Sequence, residues 1–584
     1  MNLDKPAVAN RDFAAERAAA VEKIVSGKGR RRLILAGPGT GKTYSFAQAL
    51  TEKPQSNQVI TFIRLLVKDM KPALQDRADV QTFHSYAVGV LHKIGVSGLT
   101  STFRIYTHLP RLLEREVDLL LGNHVSGSHF VEAMQTLQLA EPTHTFLGAA
   151  SYYDTVSFVD VVYRLYQRLK EKPELAPAHE LLVVDEIQDF TRLEVELIHQ
   201  LAESSPVLAA GDDDQAIYSR RHASPDLVRN MARTGHWELY DLPFCSRCTP
   251  VVVAAVHDVL NAATGRGLLP NRLEKPFDCY MPEKEDDGRR YPKIKVVECS
   301  VDRPGVHMPA RYVLDVVSNI PKEDIDASFE GLGYPTALII GPSNFTDPVI
   351  EALKQAGFTV TKREESEPDI AILDGYLILR DERNSRLGWR IVMECDPLSR
   401  IDKILRQAVG HGDELRDLLS KQYVDKHLAI VALLAKIGNG EELSDEERND
   451  VETATDRSIG ELQTILFAAP AVAPVVDETK PTILVTTYVG AKGLSGGHVF
   501  VMGLSEGFLP RTHQITDEDV RLFLVALTRT RKECHLLRVK WYGRPRAGRR
   551  LPPQLTPSPF LTWISRDRVT KIVADAAYFR EAEA

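Results

Sequence analysis

The run Leu33–Ala36 is short and wholly apolar, and it leads straight into AGPGTGKT, Ala36 to Thr43. An apolar strand feeding a glycine-rich turn and then a helical stretch is the context in which such a pattern binds phosphate. Glycines let backbone N–H groups turn inward around phosphate oxygens, and the following helix adds the positive end of its dipole. Gly37, Pro38, Gly39, Thr40, Gly41, Lys42 and Thr43 are therefore expected to cradle the triphosphate of ATP. Lys42 is expected at the β- and γ-phosphates and Thr43 as a Mg²⁺ ligand. The first glycine of the usual pattern is Ala36 here.

Similar apolar strands recur at 58–63, 181–186, 205–212, 293–298, 336–341, 482–487 and 498–503. Their alternation with helical stretches predicts α/β architecture, with parallel sheets covered on both faces. The strands fall into one group before about 212 and another after about 293, so two α/β domains are expected; 584 residues exceed the roughly 250–300 that one core carries. Residues 86–176 and 396–470 are helical by period and read as insertions. The charged, Pro/Gly-rich stretches 281–292 and 541–553 read as loops. The strand LLVVDEIQD (181–189) ends in two acids. Asp185 is expected to hold Mg²⁺ through water, and Glu186 to orient and deprotonate the attacking water.

Composition narrows the setting. Hydrophobic residues at 43% and charged residues at 26% exclude a disordered chain, and six scattered cysteines point to a reducing compartment. No run approaches the ~18 apolar residues of a membrane span and the N-terminus has no signal-like apolar core, so a cytoplasmic protein without a membrane partner is expected. A formal charge of -8 requires any nucleic-acid binding to use a local groove.

With GDDDQAIY (Gly211 to Tyr218) the chain resembles the superfamily 1 helicases of the UvrD/Rep/PcrA type. TFHS (Thr82 to Ser85), CSRC around Arg247, TTYVGAKGLS (Thr486 to Ser495), SEGFLPR (Ser505 to Arg511) and RLFLVALTRTR (Arg521 to Arg531) follow in the family's order, and LTWI (561–564) is similar to the end of such chains. The resemblance implies two RecA-like parallel-sheet domains of the P-loop NTPase kind with helical accessory insertions. The divisions are 1–85 with 177–240, an insertion 86–176, 241–395 with 476–560, an insertion 396–475, and a C-terminal tail 561–584. ATP would lie between the two domains. Gln215 would sense the γ-phosphate, and Arg247 and Arg529 would reach in as arginine fingers, completing a catalytic set with Lys42 and Glu186. Phe62, Thr82, His84, Lys492 and the segment around Tyr218 would meet nucleic acid.

Departures from the family concentrate on base contacts. Glu16 stands where relatives read adenine with glutamine, and Ser246 where an aromatic stacks on the base. TFIRLLV (Thr61 to Val67) leaves Arg64 where relatives carry Asn and Lys. Arg220 replaces a base-stacking tryptophan, with Arg221 beside it, and Val489 and Ser495 replace a His and a Glu. The resemblance implies an ATP-dependent DNA helicase or single-strand translocase, 3′ to 5′, acting on single-stranded or tailed duplex DNA in repair, recombination or anti-phage defence. The altered stacking positions leave a second reading, a nucleic-acid-sensing regulatory ATPase that signals to a partner such as a nuclease or defence-system protein. RNA is a third substrate reading, since stacking grooves accept either sugar. Cys245 and Cys248, with no second ligand pair, read as helix-start residues flanking Arg247. The run Glu283–Asp287 reads as a surface loop, and Arg544, Arg546, Arg549 and Arg550 as a loop or a backbone guide.

Overall fold

Six parallel strands form the first sheet, in the spatial order Asp79–Thr82, Asn57–Thr61, Leu181–Val184, Val207–Gly211, Arg31–Leu35, Glu238–Asp241. The molecule is a computed structural model that describes residues 11–50, 56–61, 64–74, 76–331, 333–363, 369–467, 477–544 and 552–582. The central strands LLVV and VLAAG are buried along their whole length, as a sheet covered on both faces demands. One face is packed by Phe13–Ser26, Lys42–Ala49 and Arg64–Leu74. The first of these helices opens at Asp12, whose carboxylate accepts the Ala15 N–H at 2.9 Å.

The second sheet has eight strands, in the order Val306–His307, Ile294–Arg303, Thr530–Tyr542, Gly496–Val501, Ala337–Ile340, Ile483–Thr486, Val360–Lys362, with Val569–Ala574 pairing Ile294–Arg303. All pairings are parallel except that of the short Val306–His307 strand. Two parallel sheets covered by helices match the expected fold class. The segment after 560, expected as a tail, instead supplies a strand registered from Ile294↔Val569 to Cys299↔Ala574 and then the helix Ala576–Ala582. Its side chains are half-buried or exposed apart from Ala574, as at a sheet edge, and this leaves a weak apolar signal.

Helices between Phe83 and Glu171 and between Ile372 and Phe467 form two bundles that share one apolar core with a face of the first sheet. The second bundle starts near Ile372, earlier than the expected 396, because Ile372–Asp381 and Arg386–Cys395 bury Tyr376, Leu379, Trp389 and Ile391 in that core. A buried ion pair joins the bundles: Arg390 Nε meets Glu116 Oε1 at 2.5 Å with neither side chain exposed, and Tyr153 donates its hydroxyl to the same carboxylate at 2.8 Å. Residues 281–290 are a helix rather than a loop, with Pro282 in its first turn, Glu283 near the N-terminus and Arg289 and Arg290 near the C-terminus, charges that suit the helix dipole. Among the described residues no helix is long and apolar enough to cross a membrane.

Candidate functional site

The glycine-rich turn leaves the carboxyl end of Arg31–Leu35, the position at which open parallel sheets bind ligands. Gly39 and Gly41 take φ of 71° and 90°, left-handed values that other residues seldom adopt. A Cβ on Gly39 would lie 2.4 Å from the Arg247 Cβ, so the second lobe rests directly on the loop, and Ser246 N–H donates to the Gly39 carbonyl at 2.9 Å. A cavity of about 350 Å³ opens there, lined by the turn from Pro38 to Thr43, by Asp185, Glu186 and Gln215 of the first lobe, and by Arg247, Lys492, Arg529 and Arg531 of the second.

Lys42 Nζ pairs with Glu186 Oε1 at 2.9 Å, and both side chains are largely buried. Glu186 has φ 55°, a strained backbone for a non-glycine residue, held where the strand Leu181–Val184 ends. Burial and then the charge of Glu186 push the Asp185 carboxyl up; on Glu186 burial is outweighed by Lys42 and Lys492, so that carboxylate stays ionised. Gln215 bridges the lobes: its amide donates to Asp212 Oδ2 at 2.7 Å and its oxygen accepts from Arg529 Nη2 at 3.0 Å. Burial first, and Arg247 second, lower the Arg529 guanidinium to about 9. Arg531 is lowered by the same two causes.

Several buried polar atoms here have no hydrogen-bond partner among the described residues, notably Arg247 Nη1 on the cationic side and Asp185 Oδ1 on the anionic side. A triphosphate between the guanidinium groups and a divalent cation at Asp185 and Thr43 would satisfy both, so the residues present fit ATP and Mg²⁺.

The expected nucleic-acid residues are more dispersed. Thr82 caps the helix Phe83–Ile94 by accepting the Ser85 N–H, and the half-buried His84 ring lies 5.2 Å from Phe158. Tyr218 lies under Lys492, 5.4 Å from ring centre to ammonium, and Arg221 is exposed. Phe62 lies outside the described residues, as do Arg546, Arg549 and Arg550; the side chains of Arg64 and Arg220 are likewise not described. Lys492 requires a correction. It is 2% exposed, with its ammonium on Asp189 Oδ1 at 2.5 Å and on the Gln215 carbonyl at 2.6 Å, so it belongs to the lobe seam and not to an open groove. Cys245 and Cys248 also depart from expectation: Cys245 ends the short strand Phe244–Cys245 and the next helix starts at Pro250.

Three groups at the seam were missed. Arg531 lines the cavity and stacks over Tyr334 at 4.4 Å; its place in the same RTR run as Arg529 was the available signal. Lys275 lies within 2.9 Å of Asp212, Asp213 and Asp214 together, and Arg272 forks onto Asp214 at 2.7 and 3.2 Å. Arg17 joins the first helix to Glu283 at 2.9 Å and sits over Tyr280 at 4.6 Å.

Residues 18–221 match the model of an AAA domain and residues 415–539 that of the UvrD-like helicase C-terminal domain. The first span holds the glycine-rich turn, Glu186 and Gln215, and the second Lys492, Arg529 and Arg531, so each wall of the cavity is represented in a matched region, while Arg247 lies between the two spans. The chain is a divergent UvrD-like superfamily 1 helicase. It is similar to the ATP-dependent DNA helicase PcrA of Bacillus subtilis (strain 168), 24% identical over 87% of this chain and 80% of the relative. It is also similar to PcrA of Staphylococcus aureus (strain NCTC 8325 / PS 47), at 22% over 88% and 82%, and to PcrA of Leuconostoc citreum, at 22% over 92% and 85%. This UvrD-like chain is thus an enzyme of the ATP-hydrolysing class.

Proposed function

We propose that the protein is a cytoplasmic ATP-driven helicase and single-strand DNA translocase, moving 3′ to 5′ on single-stranded or tailed duplex DNA in repair, recombination or anti-phage defence. The observation that carries the proposal is the convergence of Arg247 and Arg529 from one lobe with Lys42, Glu186 and Gln215 from the other in a single cavity. Hydrolysis that separates charge at this seam changes what holds the lobes together, and closure and opening become strokes.

In this reading Lys42 and the turn from Gly37 to Thr43 bind the phosphates, with Thr43 and Asp185 holding Mg²⁺. Bound there, Mg²⁺ would neutralise charge on the phosphate oxygens. Arg247, whose Nη1 lacks a partner, and Arg529, already fixed on Gln215, face the γ-phosphate position. Glu186 is ionised and can take the proton of the attacking water once phosphate draws Lys42 away. Gln215 and Lys492 pass the change onward, because Lys492 holds the Gln215 carbonyl and covers Tyr218. Thr82, His84, Tyr218 and Arg221 are assigned to the DNA path, and Phe62, Arg64 and Arg220 are assigned to it on the resemblance alone.

The test is ATP turnover with and without single-stranded DNA, beside unwinding of 3′- and 5′-tailed duplexes, for wild type and Lys42→Ala. DNA-stimulated turnover and separation of the 3′-tailed duplex are expected from the wild type alone. Turnover that DNA stimulates without strand separation would favour a regulatory ATPase that signals to a partner such as a nuclease, and turnover indifferent to DNA would defeat the motor reading.

A further inference from the structure

Away from the cleft, the second sheet carries two histidines and a glutamate on one face. His498 sits on Gly496–Val501 and Glu533 and His535 on Thr530–Tyr542, with His498 paired in register to Glu533 and Phe500 to His535. Both imidazoles are 2% exposed. His498 Nδ1 lies 3.7 Å and His535 Nε2 3.1 Å from the same oxygen, Glu533 Oε2, and one ligand atom from each of the three residues lies within 4.8 Å of the others.

The far nitrogens are tied down. His498 Nε2 meets Asp324 Oδ2 at 3.0 Å, and His535 Nδ1 meets the Tyr312 hydroxyl at 3.0 Å. The near nitrogens, His498 Nδ1 and His535 Nε2, are buried and make no hydrogen bond of acceptable geometry among the described residues. If each histidine carries its proton on the tied side, two lone pairs face one carboxylate oxygen, an arrangement that repels unless a cation lies between them. Outer partners that fix the tautomer and ring are what metal-binding histidines use. Phe500 stacks on His535 at 4.5 Å and sets the ring plane.

We propose that His498, Glu533 and His535 form a zinc site, with two imidazole nitrogens and one carboxylate oxygen as protein ligands and a solvent ligand on the side where Glu533 is 14% exposed. Zinc bonds of ~2.0–2.2 Å to nitrogen and oxygen at a tetrahedral angle span roughly 3.4 Å, and the two observed separations bracket that value. The nitrogen and oxygen donor set suits zinc better than magnesium or calcium. Three cations stand near: Lys295, 3.5 Å from Glu533 Oε1, and Lys532 and Arg290, 2.6 and 3.3 Å from Asp324 Oδ1. Each is engaged by a carboxylate oxygen other than the one that faces the near nitrogens or the one that holds His498. The site would tie together two strands whose leading ends carry Lys492 and Gly493 on one side and Arg529 and Arg531 on the other, all lining the ATP cavity.

The rival arrangement is a metal-free imidazolium at His498 bridging Asp324 and Glu533. The full-length protein, stripped with a chelator and held in saturating Mg²⁺ to occupy the cleft, is titrated with Zn²⁺ against a chromophoric competitor and separately with Co²⁺ while visible absorption is recorded. One equivalent of zinc, an intense tetrahedral Co²⁺ band and a zinc-dependent rise in melting temperature are expected. His498→Asn, His535→Asn and Glu533→Gln should lose the equivalent, and Asp324→Asn should weaken it ~10–100-fold. Wild type that takes up no zinc, or variants that bind it as wild type does, overturns the proposal. The wild-type titration decides alone if a variant fails to fold.

Discussion

Arg247 and Arg529 belong to the same lobe and line the same cavity, yet their removal should move stability in opposite directions. Arg529 donates to the Val525 carbonyl at 2.8 Å, the Leu494 carbonyl at 3.1 Å, Gln215 Oε1 at 3.0 Å and Thr528 Oγ1 at 3.1 Å. At ~0.5–1.5 kcal/mol net per hydrogen bond, Arg529→Ala forfeits roughly 2–6 kcal/mol. At roughly 2–4 °C per kcal/mol for a lobe of this size, the nucleotide-free melting temperature should fall by about 5–20 °C. Arg247 has a buried Nη1 with no partner and depresses the ionisation of both Arg529 and Arg531. Removing an unsatisfied donor returns ~1–3 kcal/mol, offset by lost packing of the aliphatic stem. Arg247→Ala should therefore melt at or above the wild-type temperature. Under the proposed function both guanidinium groups would stabilise the phosphoryl group in transfer, so turnover should collapse in both, by ~10³–10⁵. Differential scanning fluorimetry without nucleotide, paired with DNA-stimulated phosphate release, reads both quantities. If Arg247→Ala melts as low as Arg529→Ala, or if either retains near-wild-type turnover, the idea of an anion-ready pair fails.

Glu186→Gln should bind ATP with near-normal affinity yet hydrolyse it ~10²–10⁴-fold more slowly, read by nucleotide-binding fluorescence beside phosphate release. Lys275→Met leaves Asp212, Asp213 and Asp214 without their shared ammonium and should lose about 3–5 kcal/mol in urea unfolding; Lys275→Met combined with Asp213→Asn should recover part of it. Arg390→Met leaves Glu116 buried with, among the described residues, the Tyr153 hydroxyl as its remaining side-chain partner and should lose a similar ~3–5 kcal/mol, most of which Glu116→Leu added to it restores. His427 is 1% exposed against Tyr376, and burial lowers its imidazole to about 4. Unfolded, it takes up a proton near pH ~6.5. Between those values the unfolded chain holds the extra proton, so the stability from the neutral ring is complete above about 6.5 and is lost as pH falls toward 4. Wild type should lose melting temperature from pH 7 to 5 more steeply than His427→Gln; equal slopes would remove His427 from the account.

The glycine-rich turn and Glu186 could be singled out because their pattern is local: one strand, one turn and two acids suffice to nominate them, and the fold brings them to one cavity. Gln215, Arg247 and Arg529 were legible only through the ordered resemblance, since nothing in their own neighbourhoods says that three distant segments meet. The seam around them was harder still. Lys275 lies in a stretch without periodicity, and nothing in the GDDDQAIY motif says that Asp212 to Asp214 end at 1–6% exposure around a lysine from the other lobe. Ion pairing between lobes is a property of approach, and the side chains that make it look in sequence like ordinary surface charge. The same reasoning explains Lys492, which a motif assigned to DNA and the fold assigns to Asp189 and the Gln215 carbonyl. A lysine buried at that point gives the second lobe a direct grip on the residue that Arg529 also holds. Movement of either lobe must then break or remake the bonds at Gln215, and this links phosphate chemistry to the Tyr218 segment without any longer chain of contacts.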